Sequence, residues 1–365
     1  MLYLVKKVEI LPNNNDINKI LIVRLSALGD TIHTIPTVNA IRNKYKNAQI
    51  DWIVEDKAAK FVVNNPLVNN VYVLERNKWK QNHNKIQSFK EFFSIIKKIR
   101  EQKYDVVIDT QQLFKSSVIM GLSGGKRKIA PDCGREFSWI FANEIIKMNR
   151  KQFDINYHVV KRNLDIAGYL GCDTDKIEFK IPDFTSEYSL EVKNIIDNID
   201  KTKKTIVISP ATTWENKHWT VQGWADVINE FKNDFNIIIT AAEKEKILTA
   251  QILSQIQGGN IIDLSGKTGL CDLVYIFKHS DLVISPDSGS AHIAWAVNYP
   301  KIITLFFATS ANRTAPFGDK YCSLSSKCAC SPCMKKRCRL KINKNACIDE
   351  IKSQDLINVI KKVLQ

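Results

Sequence analysis

Ile20-Leu21-Ile22-Val23-Arg24-Leu25-Ser26-Ala27-Leu28-Gly29-Asp30-Thr31-Ile32-His33-Thr34-Ile35-Pro36 decides the fold. Four apolar, mostly β-branched residues read as a buried parallel strand, Gly29-Asp30 as a tight turn, and Ile32, Ile35, Val38 and Ile41 as one face of the helix that follows. In an open α/β sheet, ligands bind at the carboxyl ends of the strands. This edge would present Ser26, Asp30 and His33 beside helix N–H groups that lack intrahelical partners. A Gly-Asp pair before a helix also fits plain capping, so the rest of the chain has to choose between the two roles.

The same unit recurs. Gln49–Val54, Val71–Leu74 and Tyr104–Asp109 read as further strands separated by helical stretches, which implies a parallel sheet. Pro182-Asp183-Phe184-Thr185-Ser186 interrupts the pattern. Alternation then restarts with Thr205–Pro210, Asn236–Thr240, Ile261–Leu264, Leu282–Ser285 and Ile302–Phe306, and the chain closes on a helix over 351–364. The expected architecture is α/β, with two Rossmann-like domains, residues 1–182 and 183–365, facing each other across a cleft. Residues 1–18 read as an extension with a turn at Pro12–Asp16, and 124–128 as a basic turn.

Composition narrows the class. At 365 residues, with 44% apolar and 25% charged, the chain can bury two full-sized cores. Its net charge of +15 favours anionic partners: nucleic acid, phospholipid or a phosphorylated substrate. No recognition module for nucleic acid is legible, and the basic residues of 76–103 fall largely on one face of an amphipathic helix in its second half. The first half, 76–85, reads as an anion-binding or membrane-facing loop. His83 reads as a surface histidine. No apolar run reaches the ~18 residues of a membrane span, and Met1–Val5 is too short for a signal-peptide core, so a cytoplasmic location is expected.

Nine cysteines, three of them scattered singly, fit reduced thiols better than a disulfide scaffold. Within the Cys-rich segment 328–347, Cys330, Cys333, Cys338 and Cys347 could close a structural zinc site, but the spacing matches no standard module and free thiols are the favoured reading. Asp173-Thr174-Asp175 spells a metal-binding carboxylate pair, yet reads as a solvated turn.

Asp287-Ser288-Gly289-Ser290 stands where a strand hands over to a helix, where backbone N–H groups and the helix dipole favour a diphosphate. Lys217 offers a cation for the same anion. Gly266-Lys267-Thr268 lacks the upstream glycine of a nucleotide-hydrolysing loop. Glycosyl transfer from a nucleotide diphosphate needs one base and one cationic or dipolar cradle for the leaving group. Asp30 with Lys217, Ser288 and Gly289 meets that need, whereas a glycosidase would require a flanking carboxylate pair that is not evident.

At these residues the chain resembles the heptosyltransferases of lipopolysaccharide inner-core synthesis, glycosyltransferase family 9, of the GT-B fold. Ser26-x2-Gly29-Asp30-x2-His33-Thr34-x-Pro36, Asp109-x-Gln111-x-Leu113-x-Lys115-Ser116, Arg135-Glu136, His158-x3-Arg162, Lys217-His218-Trp219 and Asp287-Ser288-Gly289-x2-His292 match in order. The His33-Thr34-x-Pro36 tail is more similar to heptosyltransferase I than to II.

The resemblance implies that Asp30 is the general base acting on a hydroxyl of a Kdo residue on lipid A, in an inverting single displacement that requires no metal or cofactor. Thr212, Thr213, Lys217, Glu245, Thr268, Asp287, Ser288, Gly289 and His292 would hold the ADP-heptose donor. Ser26, Gly29, Arg76, Lys78, Lys80, Gln111, Lys115 and Arg135 would face the acceptor, at the cytoplasmic surface of the inner membrane. A second-heptose transferase or another family 9 enzyme is the near alternative, and a nucleotide-sugar epimerase the distant one. Two positions depart from the family pattern: Gln112 replaces a glycine, and Phe307-Ala308 replace Gly-Pro. Glu245 is preferred over Glu243 by alignment.

Overall fold

The computed structural model describes residues 17–81, 84–148 and 154–365. The expected turn at Pro12–Asp16 and His83 lie outside them.

Two parallel six-stranded sheets form, with central strands buried on both faces and partly exposed strands at the edges. The first contains β1 (Lys19–Val23), β2 (Gln49–Glu55), β3 (Asn70–Leu74), β4 (Val106–Asp109), β5 (Arg127–Pro131) and β6 (Glu144–Ile146), in the order β3-β2-β1-β4-β5-β6. The second contains β7 (Thr205–Ile208), β8 (Asn236–Ile239), β9 (Ile261–Asp263), β10 (Leu282–Pro286), β11 (Lys301–Phe306) and β12 (Tyr321–Ser325), in the order β12-β11-β10-β7-β8-β9. Both orders are the doubly wound one, which reverses between β1 and β4 in one sheet and between β7 and β10 in the other. The central strands read as unbroken apolar runs because helices cover both faces. The sequence missed β5, β6 and β12. Each is short or interleaved with polar residues: Arg127-Lys128 opens β5, where a basic turn was expected, and β12 is only partly buried.

The chain divides into two compact units. Unit 1 comprises 1–27, 34–152 and 163–178, and unit 2 comprises 28–33, 153–162 and 179–365. Residues 28–33 and 153–162 thus count with the second unit, whereas the sequence reading left them inside 1–182. The first switch coincides with a broken helix. A single helix was expected from Ile32 onward, but Leu28–Ile32 and Ile35–Lys44 are separate. Pro36 has no N–H to donate to the Ile32 carbonyl, so the hydrogen-bond ladder cannot pass, and the helix restarts with proline in its first turn.

Residues 76–81 form a short helix rather than a loop, and the amphipathic helix runs over Lys85–Glu101, with the Asn84 side chain accepting from the Gln87 N–H at 3.1 Å. Asp173 and Asp175 are exposed, and Asp173 accepts the Asp175 N–H in a solvated turn.

Gln112 adopts φ +59° while wholly buried. This is left-handed backbone, which explains structurally why glycine suits the position. The turn is held by Asp109, whose carboxylate accepts the Gln111 and Gln112 N–H groups at 2.9 and 3.0 Å and the Ser116 hydroxyl at 2.9 Å. Gln112→Val, β-branched in the left-handed region, is expected to destabilise unit 1 by about 1–2 kcal/mol while Gln112→Gly is tolerated, as read from urea unfolding midpoints.

In unit 2, His158 lies in an aromatic nest with Phe317 (4.7 Å between centroids) and Trp295 (5.6 Å). Its Nε2–H donates to the Ala315 carbonyl at 3.0 Å and its Nδ1 accepts the Val160 N–H at 3.2 Å, which fixes the neutral tautomer. Burial lowers its pKa from 6.5 to about 4. The unfolded chain therefore takes up a proton, over that interval, that the folded chain refuses. The contribution is complete above pH 6.5 and lost as pH falls through about 4, on the order of 3 kcal/mol. Replacing His158 by Gln should flatten the pH dependence of stability across this window; denaturant midpoints at several pH values give the slope.

Candidate active site

β10 ends at Pro286, and Ser288 precedes the helix Gly289–Val297 in extended conformation without capping it through its side chain. The Ser288 hydroxyl instead pairs with the Ser285 hydroxyl at 2.7 Å. The first-turn N–H groups of that helix consequently face an approaching anion with no side-chain competitor from Ser288. At Gly289 an added Cβ would meet only Leu28 Cδ2, at 3.8 Å. Packing alone does not demand glycine there, and the open space lies at the start of the helix.

Lys217 ends the short 3-10 turn Glu215–Lys217 that follows β7. Its Nζ donates to the Asp287 carbonyl at 2.5 Å and to Oδ2 at 3.0 Å, and lies 5.0 Å from the Trp214 ring centroid. The two side chains are only 12% and 7% exposed. Burial raises the Asp287 pKa, but the adjacent Lys217 charge and His292 outweigh it and leave the carboxyl below its ordinary value. Thr314 donates its hydroxyl to Asp287 Oδ1 at 3.2 Å. Thr212 is buried beside the same residue, its hydroxyl 3.5 Å from the Asp287 carbonyl, and its own carbonyl receives His218 Nε2 at 2.6 Å.

Residues 28–33 complete the group within unit 2. Gly29 lies against the His292 ring so closely that an added Cβ would stand 2.6 Å from Cδ2. His33 Nε2 is 3.1 Å from His292 Nδ1, and His292 Nε2 is 3.6 Å from Asp287 Oδ1. Burial holds His292 below its ordinary pKa, against the opposing pull of Asp287 and, more weakly, Asp30. The two rings share this single nitrogen–nitrogen hydrogen bond, and the other nitrogen of His292 faces Asp287. Asp30 is half-buried in the first turn of Leu28–Ile32, inside the helix rather than at its cap.

The predicted donor residues thus divide. Lys217, Thr212, Asp287, Ser288, Gly289 and His292 come together, with Asp30 on the neighbouring segment. Thr213 is exposed on the same loop as Thr212, and Thr268 is half-buried in the loop after β9. Glu245 follows β8, where its carboxylate accepts the Ala242 N–H at 3.2 Å, while Glu243 pairs with Lys246 at 2.8 Å. His33 and Thr314 were not assigned roles from sequence. His33 lay in the motif itself, whereas no local pattern marks Thr314.

In unit 1, Ser26, Arg76 and Lys115 converge on a residue the sequence reading missed. Glu55, at the end of β2, pairs with Arg76 at 2.8 Å and Lys115 at 2.7 Å, and Lys115 also reaches the Ser26 hydroxyl at 3.2 Å. A carboxylate at the carboxyl end of a strand beside β1 was the available signal. Gln111 is buried, and its amide oxygen accepts the Leu25 and Ser26 N–H groups at 3.1 and 3.0 Å, so it shapes the loop after β1. Lys78 lies 3.5 Å from Glu91, away from Glu55, and Arg135 is exposed on the loop after β5.

Among the described residues, no three His, Cys, Asp or Glu side chains stand in a metal-holding arrangement. Of the four cysteines considered for zinc, Cys347 is buried in the core of unit 2, and burial pushes its thiol up to about 11. Cys330 stands 3.6 Å from Cys328.

Comparison with known proteins accords with this architecture. The model of glycosyltransferase family 9 (heptosyltransferase) matches residues 92–343. The lipopolysaccharide heptosyltransferase 1 of Campylobacter coli is 30% identical over 311 residues, 81% of this chain and 86% of that protein. The lipopolysaccharide core heptosyltransferase OpsX of Haemophilus influenzae is 26% identical over 302 residues, 82% and 81% of the two chains. The lipooligosaccharide heptosyltransferase 2 of Campylobacter jejuni is 24% identical over 343 residues, 93% and 96%. Among solved structures, a family 9 glycosyltransferase from Veillonella parvula superposes with a TM-score of 0.76 at 18% identity, covering 95% and 97% of the chains. The E. coli heptosyltransferase WaaC with ADP-2-deoxy-2-fluoro heptose gives 0.70 at 20% identity, covering 94% and 99%. Two doubly wound parallel sheets of this kind are the GT-B fold, and the chain belongs to glycosyltransferase family 9, the heptosyltransferases.

Proposed function

We propose that this heptosyltransferase moves L-glycero-D-manno-heptose from ADP-heptose to a Kdo residue of lipid A, as the first heptose of the lipopolysaccharide inner core. The observation that carries the reading is the contact of the Asp30-bearing segment with the phosphate-type cradle, Gly29 against His292 and His33 bonded to it. It joins the segment carrying a candidate base to His292, on the helix that follows Asp287, the partner of Lys217, and so supports a pairing of the two functions that transfer from a nucleotide diphosphate requires. Further support comes from relatives named lipopolysaccharide heptosyltransferase 1 in several organisms.

In this mechanism Asp30 takes the proton from the acceptor hydroxyl, whose oxygen attacks the anomeric carbon as the bond from that carbon to the diphosphate oxygen breaks. The charge released on ADP is met by Lys217 and the first-turn N–H groups after Ser288. Two of the three Lys217 ammonium protons are engaged by Asp287, so one donor remains for a diphosphate oxygen. Asp287 and Thr314 position the lysine, and His292 braces the segment bearing Asp30. Because the leaving charge is balanced by these groups, a chelator is expected to leave the rate unchanged. The enzyme would work peripherally at the cytoplasmic face of the inner membrane, where such an acceptor is anchored. No helix among the described residues is long and apolar enough to cross a membrane.

A second reading has its own support: the heptosyltransferase 2 of C. jejuni matches a longer part of the chain than the heptosyltransferase 1 relatives do. Purified protein incubated with ADP-heptose, EDTA and either Kdo-lipid A or its singly heptosylated product separates the two, with product mass as readout. Heptose appearing on the first acceptor is the expected result. Heptose appearing only on the second would move the enzyme one step later, and no transfer to either would overturn both readings. Asp30→Asn should retain fold and ADP binding yet lose turnover by a few orders of magnitude. Near-normal rates would remove Asp30 from the role of base. Lys217→Ala leaves Asp287 buried without its cation, so a loss of about 3 kcal/mol in stability and a large drop in kcat should appear together. Calorimetry and steady-state rates check the two effects separately.

A further inference from the structure

The helix Lys85–Glu101 carries an apolar face that its own unit covers only in part. Ile96 and Ile99 are buried in the core of unit 1, but toward the amino end Ile86 is 69%, Phe89 66% and Phe93 49% exposed. These rings are an ordered cluster: Phe89 and Phe93 stand 5.9 Å apart between centroids, Phe92 and Phe93 5.4 Å, and Trp79 and Phe92 6.4 Å. The Trp79 indole N–H is satisfied by Glu91 at 2.6 Å, so the ring itself has only apolar surface to offer.

Trp79, Phe89 and Phe92 line an open cavity of about 510 Å³, with Arg76, Lys80 and Lys85 also on its wall. Phe137 is 70% exposed on the loop after β5, whose Trp139 rests on the same core cluster as Trp79 and Phe92. Residues 76–103 hold nine Lys and Arg against Glu91 and Glu101. Exposed aromatic side chains clustered over an apolar cavity and rimmed by lysines match one environment in particular, the boundary between anionic headgroups and acyl chains.

We propose that the amino-terminal half of Lys85–Glu101, with the Trp79 cavity, is the surface by which this protein docks on an anionic phospholipid bilayer. Phe89, Phe93 and Ile86 enter the headgroup and acyl boundary, Lys80 and Lys85 meet lipid phosphates, and the cavity takes an acyl segment. A free anion would satisfy the lysines but not the aromatic face, and a neutral partner would leave the charge excess unmatched. The proposal deepens the lipid-acceptor reading and rests on it, so binding and transfer are measured apart.

The full chain is sedimented with vesicles of phosphatidylcholine containing phosphatidylglycerol, and with vesicles of phosphatidylcholine alone, at low and high salt. Wild type should sediment with the anionic vesicles, less at high salt and little with neutral ones. The paired substitution Phe89→Ser/Phe93→Ser, and separately Lys85→Glu, should each weaken this by about tenfold or more, with circular dichroism unchanged. The aromatic pair should still transfer heptose to a water-soluble, deacylated Kdo acceptor at the wild-type rate. Wild type that does not sediment, variants that bind as tightly as wild type, or a wild-type dimer in solution that the aromatic pair dissolves would each overturn the proposal. Loss of soluble transfer in wild type with vesicle binding intact would sink the transfer reading and leave the docking surface standing.

Discussion

The buried pair of Lys217 and Asp287 is the constraint on which the candidate site depends. Placing two charges where side chains are about one-tenth exposed is costly, and it is offset here by short contacts to both the carboxylate and the carbonyl of one residue. Asp287 is in turn tied to Thr314 and stands beside His292. Moving any of these residues would leave an unmatched charge or dipole in low dielectric, so the loop after β10 has little freedom. An organised cradle of that kind can meet charge developing on a leaving group without reorganising first.

Topology explains why these particular residues meet. In a doubly wound sheet the strand order reverses once, and the loops leaving the strands on either side of that point diverge and leave a crevice between them. β7 and β10 flank the reversal in the second sheet. Their exits carry Thr212 and Lys217 on one side and Asp287 through His292 on the other. The helix also breaks at Pro36 after Ile32, and residues 28–33 count with unit 2, although the strand before them belongs to the first sheet.

Around Glu55 the balance differs. Two cations that the sequence marked as anion-binding, Arg76 and Lys115, share one carboxylate, so the local charge is smaller than a count of lysines and arginines suggests. Gln111 is likewise committed to the backbone of Leu25 and Ser26. The groups that shape this edge are already bonded to each other, which orders the loop after β1.

Much of this was legible in the chain itself. Apolar runs such as Thr205–Ile208 and Leu282–Pro286 announce buried strands because a parallel sheet covered on both faces admits little else, and the order of motifs from Gly29-Asp30 to Asp287-x4-His292 points to family and chemistry. The short strands β5, β6 and β12 were not legible, since their burial is supplied by neighbours distant in sequence rather than by their own composition. Nor were the contacts of His33 with His292, Thr314 with Asp287, and Glu55 with Arg76 and Lys115. These join residues from 21 to 259 positions apart, and no local periodicity encodes such a meeting. The sequence by itself determined the central strands of both sheets and the residue types of the site; only the tertiary structure decided the short strands β5, β6 and β12, which side chains share a carboxylate and which segment counts with which unit, because burial and charge pairing are properties of the packed chain.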